Sequence, residues 1–181
     1  MQLDIGSLTA THWRYKGESV HRFMLPKFMA VTATVLCASA AAAQMPNPYG
    51  SPISLEAAKR ATAAAVAKAR ANSWLVAVAV VDPSGNLVHF EKMDGTQNAS
   101  SVVAMDKARA SAIFKRPTKA FQDMVAAGGE GLRILDLHGA IAIEGGVPLL
   151  LDGKIVGAIG VSGVASAQDE QCARAGADIL K

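Results

Sequence analysis

Two histidines, three separated aspartates and a glycine run are the side chains and spacings of this 181-residue chain that can carry chemistry. Beyond residue 43 histidine occurs only at His89 and His138, with no H-x-x-x-H and no C-x-x-C. Zinc needs about four clustered ligands, so that pair is a poor zinc site. No E-x-x-E or E-x-x-H occurs there, which removes a dicarboxylate iron site built on facing helices. The run Gly157–Gly163 has the spacing G-x-x-G-x-x-G, which fits neither dinucleotide-binding glycines nor a P-loop, and no βαβ unit surrounds it. Small residues there let a strand pass close under a helix or a flat ligand. Ser162 follows a strand pattern but has no accompanying base, and Asp169 and Glu170 read as charges at a helix start. Asp94, Asp106 and Asp169 remain the acids that an enzyme site would gather. Lys107, Arg109 and Arg116 read as solvated, with one or two free to pair with carboxylates.

Each histidine also has an ordinary reading. His89 alternates with Val88 and Phe90, as a residue on a solvated strand face does, and His138 precedes Gly139 at a loop end. Porphyrin-bound iron asks for only one axial side chain, which keeps both as candidate ligands.

Charge and composition narrow the classes further. The chain carries 18 Lys+Arg against 15 Asp+Glu, a formal +3, and is 51% hydrophobic. Arg14, Lys16, Arg22 and Lys27, with Asp4 and Glu18, precede residue 44, leaving 14 basic against 13 acidic residues. That near balance argues against a nucleic-acid partner. Lys27, an apolar run from Phe28 to Ala38 and the small residues Ala41-Ala42-Ala43 follow the layout of a secretory signal peptide cleaved after Ala43. The apolar run is too short for the ~20 residues of a membrane span, and Leu36 before Cys37 does not suit lipid attachment. The expected location is therefore secreted or periplasmic, with no membrane span after cleavage. Met24 is the expected true start, which sets residues 1–23 aside with His12, His21 and Trp13. The processed chain keeps one cysteine, Cys172, so it has no internal disulfide.

The elements that must position these groups are legible in outline. Residues 44–53, with three prolines, read as a flexible lead-in. Ser54 caps a helix whose Leu55, Ala58, Ala61, Thr62, Ala65, Val66 and Ala69 share one face. Leu75–Val81 and Leu87–Met93 form a hairpin across Asp82-Pro83-Ser84-Gly85. A helix runs from about Ser100 to Phe114 and stops before Pro117. Thr118 caps a further helix to about Ala127, which Gly128-Gly129 ends. Ala140–Ile143, Val147–Leu151 and Lys154–Val161 read as strands, the last two joined by Asp152-Gly153 in a type I′ turn. Ser166-Ala167-Gln168-Asp169 resembles a capping box that opens a terminal helix. Residues 1–43 are thus extension and signal peptide, 44–53 lead-in, and 54–181 one α+β domain.

Val78–Asp82, Gly85, Met93-Asp94-Gly95, Asp106-Lys107-Ala108, Pro117-Thr118, Gly145-Gly146-Val147-Pro148, Gly157–Gly163 and Gln168-Asp169 together resemble the GlcG/HbpS haem-binding family, a fold shared with the C-terminal domain of PduO-type proteins. The resemblance covers Ser54–Lys181. It implies a profilin-like three-layer α/β/α sandwich with a five-stranded antiparallel sheet, homo-oligomers, and haem or another tetrapyrrole as ligand. Thr118 matches a position linked with haem coordination in the family, beside its residue-level reading as a helix cap. The expectation is a secreted haem carrier, scavenger or sensor component without turnover of its own. His89, His138 or Thr118 would meet the iron and Arg116 a propionate. The alternatives are a small-molecule enzyme or cofactor-handling accessory using Asp94, Asp106 and Asp169, and a purely interacting oligomeric subunit.

Overall fold

A computed structural model describes residues 46–180. The expected signal peptide and cleavage point, Cys37, His12, His21 and Trp13 lie outside the described residues.

Helix α1 (Leu55–Ala71) starts at Ser54, whose hydroxyl accepts a hydrogen bond from the Ala57 N–H at 3.2 Å. Of its expected face, Ala58, Ala61, Thr62, Ala65, Val66 and Ala69 are buried, whereas Leu55 in the first turn is exposed. Strands β1 (Ala77–Val81) and β2 (Leu87–Lys92) form the first hairpin. The Asp82 carboxylate shapes its turn, accepting from the N–H groups of Ser84 at 2.8 Å and Asn86 at 2.9 Å. Helices α2 (Ala99–Ile113) and α3 (Lys119–Ala126) follow, then a 3-10 segment, Gly129–Asp136. Strands β3 (Gly146–Leu151) and β4 (Lys154–Ser162) make the second hairpin, and α4 (Ser166–Asp178) ends the described chain. Asp152 and Gly153 both take positive φ, 49° and 71°, as their type I′ turn requires.

The sheet has four antiparallel strands in the order β2-β1-β4-β3, not five. The strand expected at Ala140–Ile143 does not form. This four-residue stretch lies between Gly139 and Gly145, both at positive φ, and the Ala140 N–H turns back to the Leu137 carbonyl instead of entering a ladder. The lead-in extends the hydrogen bonding instead. The Ile155 N–H donates to the Pro48 carbonyl and the Gly50 N–H to the Ile155 carbonyl, both at 2.8 Å, so the chain near Tyr49 runs parallel to the start of β4.

Alternation along the strands sorts side chains by size into two faces. Val78, Val80, Val147, Leu149, Ile159 and Val161 face α1 and α4 and form the larger core. The opposite face carries Ala77, Ala79, Val81 and Ala158 against Ala104, Ala108 and Ala112 of α2. The small side chains let α2 lie almost on the sheet backbone. A Cβ at Gly160 would sit 2.1 Å from the Ala104 carbonyl oxygen, and one at Gly146 would sit 2.3 Å from that of Lys107.

Two helix starts differ from expectation. Thr118 precedes α3 but its side chain does not cap it, and Ser166 is the first residue of α4, not its cap. The Gln168 side chain instead accepts from the Ala165 N–H at 3.2 Å.

Equilibrium urea unfolding should separate two glycines. Gly160→Ala forces α2 off the sheet and should cost about 3 kcal/mol or more. Gly153→Ala meets no atom within 4 Å and pays only for its left-handed φ, about 1 kcal/mol.

Candidate functional site

Most of the segments that carry the family resemblance meet at the end of the sheet where β4 finishes and β3 begins. Lys107 of α2 reaches past that end to Asp169 in the first turn of α4. Its ammonium donates to Asp169 Oδ2 at 2.9 Å and to the Val161 carbonyl at 3.0 Å, with the two side chains 1% and 3% exposed. Lys107 is therefore buried and paired, not solvated as its sequence position suggested, and Asp169 is its partner as well as a residue of the helix start. The other Asp169 oxygen accepts from the Val164 N–H at 3.2 Å. Burial nevertheless raises the Asp169 carboxyl above its ordinary value, against the pull of Lys107.

Gly145 gives this pair room, since a Cβ there would lie 2.9 Å from Lys107 Nζ and 2.8 Å from the Val161 carbonyl oxygen. Its N–H donates to Glu170 Oε2 at 3.0 Å, and the other Glu170 oxygen holds Arg174 one helical turn on. The next residue is tied from the other side. Gly146 N–H donates to Thr118 Oγ1 at 2.9 Å, and Thr118 N–H donates to the Gly146 carbonyl at 3.0 Å.

A cleft of about 410 Å³ opens beside this cluster. Val147, Pro148 and Leu150 of β3, Ile155 of β4 and Pro117 give it an apolar wall. Lys115 and Arg174 bring cations to it, Ala177 and Asp178 lie at the α4 side, and Pro46 and Asn47 close the lead-in side. Local structure explains the position of Lys115. After α2 the chain reverses with Lys115 at φ 55°, directly before Arg116-Pro117. The Lys115 ammonium lies 4.1 Å from the centre of the Tyr49 ring. The Tyr49 hydroxyl donates to the Ala112 and Ile113 carbonyls, both at 3.0 Å, at the open end of α2. An apolar wall with cations at its margin suits a flat apolar molecule bearing carboxylates.

The residues singled out from sequence are not gathered here. His89, half-buried on β2, pairs with Val80 of β1, and β2 is the edge of the sheet opposite β3, about 14 Å away at the usual strand spacing. His138 is exposed beyond the 3-10 segment, and neither histidine lines the cleft. Thr118 is fully buried next to the cleft residue Pro117, with its hydroxyl bonded to Gly146. Arg116 turns back on its own loop, its Nε donating to the Phe114 carbonyl at 3.1 Å, and is absent from the cleft wall. Asp94 and Asp106 are exposed on separate elements while Asp169 is buried, so the three acids do not share a pocket. Among the described residues no three His, Cys, Asp or Glu side chains are placed to hold a metal ion. Sequence reasoning passed over Lys115 and Arg174. The signal for Lys115 was its place in a helix break, and for Arg174 its i,i+4 spacing from Glu170.

Cys172 is buried in α4, and its thiol is pushed up to about 11 by burial first and the Asp169 carboxylate second. Two outcomes follow from these environments. Lys107→Met should destabilise by about 3–5 kcal/mol, because it strands a buried carboxylate, whereas Lys107→Met with Asp169→Leu should recover much of that loss in urea unfolding. An unfolded thiol ionises near pH ~8.5, so between there and about 11 only the unfolded state loses this proton and stability falls as pH rises. Cys172→Ala should flatten that slope, and native Cys172 should ignore a disulfide reagent at pH 8 until urea unfolds the chain.

Comparison with known proteins identifies the family. A family model described as haem degrading protein HbpS-like matches residues 53–178. Protein GlcG of Escherichia coli K12 is 38% identical over 110 residues, 61% of this chain and 81% of GlcG. A double mutant of Streptomyces reticuli HbpS superposes with a TM-score of 0.67 at 34% identity, covering 73% of this chain and 89% of that one. A crystal structure of a PduOC:heme complex gives a TM-score of 0.65 at 26% identity, covering 72% and 96%. No described helix is long and apolar enough to cross a membrane. With one match running from the lead-in to the last turn of α4, the chain belongs to the GlcG/HbpS family.

Proposed function

We propose that the protein is a secreted haem-binding protein, a carrier, scavenger or sensor component, and that the tetrapyrrole lies in the cleft along β3. The observation that carries this reading is the cleft itself, about 410 Å³ with an apolar wall of Val147, Pro148, Leu150 and Pro117 beside Lys115 and Arg174. That volume falls in the ordinary range for small-molecule sites. The family description and the heme complex of PduOC support the same ligand class.

The residues present fit the macrocycle and its propionates. Burial of porphyrin carbon against the β3 wall provides the main favourable term, at about 25 cal/mol per Å² of apolar area. Lys115 and Arg174 orient the molecule by its carboxylates. Bound haem supplies a coloured, redox-active iron. Of the candidate iron ligands His89, His138 and Thr118, Thr118 alone adjoins the cleft, through Pro117, and is the ligand proposed for it there. Export behind Ala43 and self-association belong to the same proposal. Exposed Met124, Leu132, Leu135 and Leu137 on α3 and the connection after it support an interface between copies.

Hemin titrated into residues 44–181 should give a saturable, near-stoichiometric change in the Soret band that persists for hours without bleaching. Leu150→Asp, which puts a charge on the wall, should weaken binding about tenfold or more. Parallel titrations of His89→Ala, His138→Ala and Thr118→Ala identify any iron ligand by loss of the shift. A weak, unsaturated change alike in all five proteins would remove the haem reading.

A further inference from the structure

We infer that residues 46–50 form a strap over one side of the cleft, latched by Tyr49, whose release sets how fast the tetrapyrrole enters and leaves. The inference rests on the reading of the cleft as the tetrapyrrole site, while the strap itself is built from contacts within the protein.

Few attachments hold this segment. The chain becomes fixed at Ile53, which is buried and whose N–H donates to the Val156 carbonyl at 2.7 Å, and Ser54 then caps α1. Before that point it lies on the surface, with Pro46, Pro48, Tyr49, Ser51 and Pro52 exposed and Asn47 and Gly50 half-buried. Two backbone hydrogen bonds tie it to β4, from the Ile155 N–H to Pro48 and from the Gly50 N–H to Ile155. Both stand beyond the end of β1, whose last pair with β4 is Val81 with Ala158. A segment near a terminus with so little buried apolar surface opens far more readily than the core. Pro46, Pro48 and Pro52 keep the released chain extended, so it swings as a stiff piece about Ile53.

Tyr49 is the latch. Its hydroxyl, shared between the Ala112 and Ile113 carbonyls at 3.0 Å each, gives a donor to the open C-terminal end of α2. Its ring lies 4.1 Å from the Lys115 ammonium. Tyr49 does not line the cleft, yet it joins two groups of residues that do, Pro46 and Asn47 on the strap and Lys115 and Pro117 on the turn after α2. Docking the latch therefore brings two sides of the cleft together, and undocking it parts them. A rigid macrocycle lying along β3 has these sides at its edge, so it passes when the strap is off and stays when the strap is docked. The latch is made within the protein and not to the ligand, so it acts alike on the empty and the loaded cleft. Weakening it raises the entry and release rates together and leaves the affinity nearly unchanged.

The test measures stopped-flow hemin binding, hemin release to excess apomyoglobin, and hydrogen exchange of the Gly50 and Ile155 amides without ligand. It compares the full chain with Tyr49→Phe, which keeps the ring and loses the hydroxyl. Both amides should exchange about fivefold faster in Tyr49→Phe, and hemin association and dissociation should rise by a like factor, with Kd within about twofold. Tyr49→Ala, which also frees Lys115, should move all four rates further the same way. Circular dichroism checks that both variants stay folded. Gly50 exchanging as slowly as Val80 in the native chain would mean a fixed wall and overturn the inference. Hemin rates unchanged in Tyr49→Phe would overturn it too, as would a dissociation rate that rises alone with Kd weakened to match. Failure of the native chain to bind hemin would remove the haem reading and the rate claim with it. That failure is told apart from the others because amide exchange without ligand still reports whether the strap opens.

Discussion

The ion pair between Lys107 and Asp169 joins the two helical layers of the domain around one end of the sheet, and the rest of the arrangement depends on it. Taking both charges out of water costs several kcal/mol per ion. The fold offsets that cost with short geometry and further hydrogen bonds, from Lys107 to the Val161 carbonyl and from the Val164 N–H to Asp169. A hydrophobic pair could fill the same volume at lower cost. What the ionic pair adds is direction, because it fixes where α4 begins relative to α2 and leaves room only for glycine at position 145.

From that point two chains of contact run outward to the cleft. One passes from Gly145 through Glu170 to Arg174, and the other from Gly146 through Thr118 to Pro117. The outer strand β3 is thus held at its first residue, Gly146, and at Gly145 just before it, while Val147, Pro148 and Leu150 give the cleft its apolar wall beside cations from both helical layers. Pro148 lacks an N–H, which suits an edge strand and discourages pairing with another strand. The small-residue face under α2 brings the end of that helix, and with it Lys115, close to the sheet. The cleft and the core packing are therefore linked through a few backbone groups.

Local signals carried far in the sequence. The burial face of α1, both hairpin turns and the helix break before Pro117 were legible because each follows from period, cap chemistry or positive φ within a few residues. Ala140–Ile143 failed as a strand because β-propensity says nothing about a partner, and the glycines on either side take the chain away from the sheet. Lys107 was misjudged for a related reason. Its neighbours on α2 give no sign that an acid 62 residues later reaches it. Thr118 looked like a cap because its local sequence permits one, yet Gly146, distant in sequence, claims its hydroxyl. The family resemblance named the correct segments but could not say that most of them build the support behind the cleft. Lys115 and Arg174, the cations in the cleft itself, lie outside those motifs.

We propose that a tetrapyrrole lies along β3 between Lys115 and Arg174. Backbone hydrogen exchange with and without hemin tests that placement most directly, since a bound macrocycle shields nearby amides wherever it sits. The account predicts new protection concentrated in residues 115–118, 147–151 and 174–178, with β2 unchanged. Protection centred on β2 around His89, or on the connection bearing His138, would contradict it.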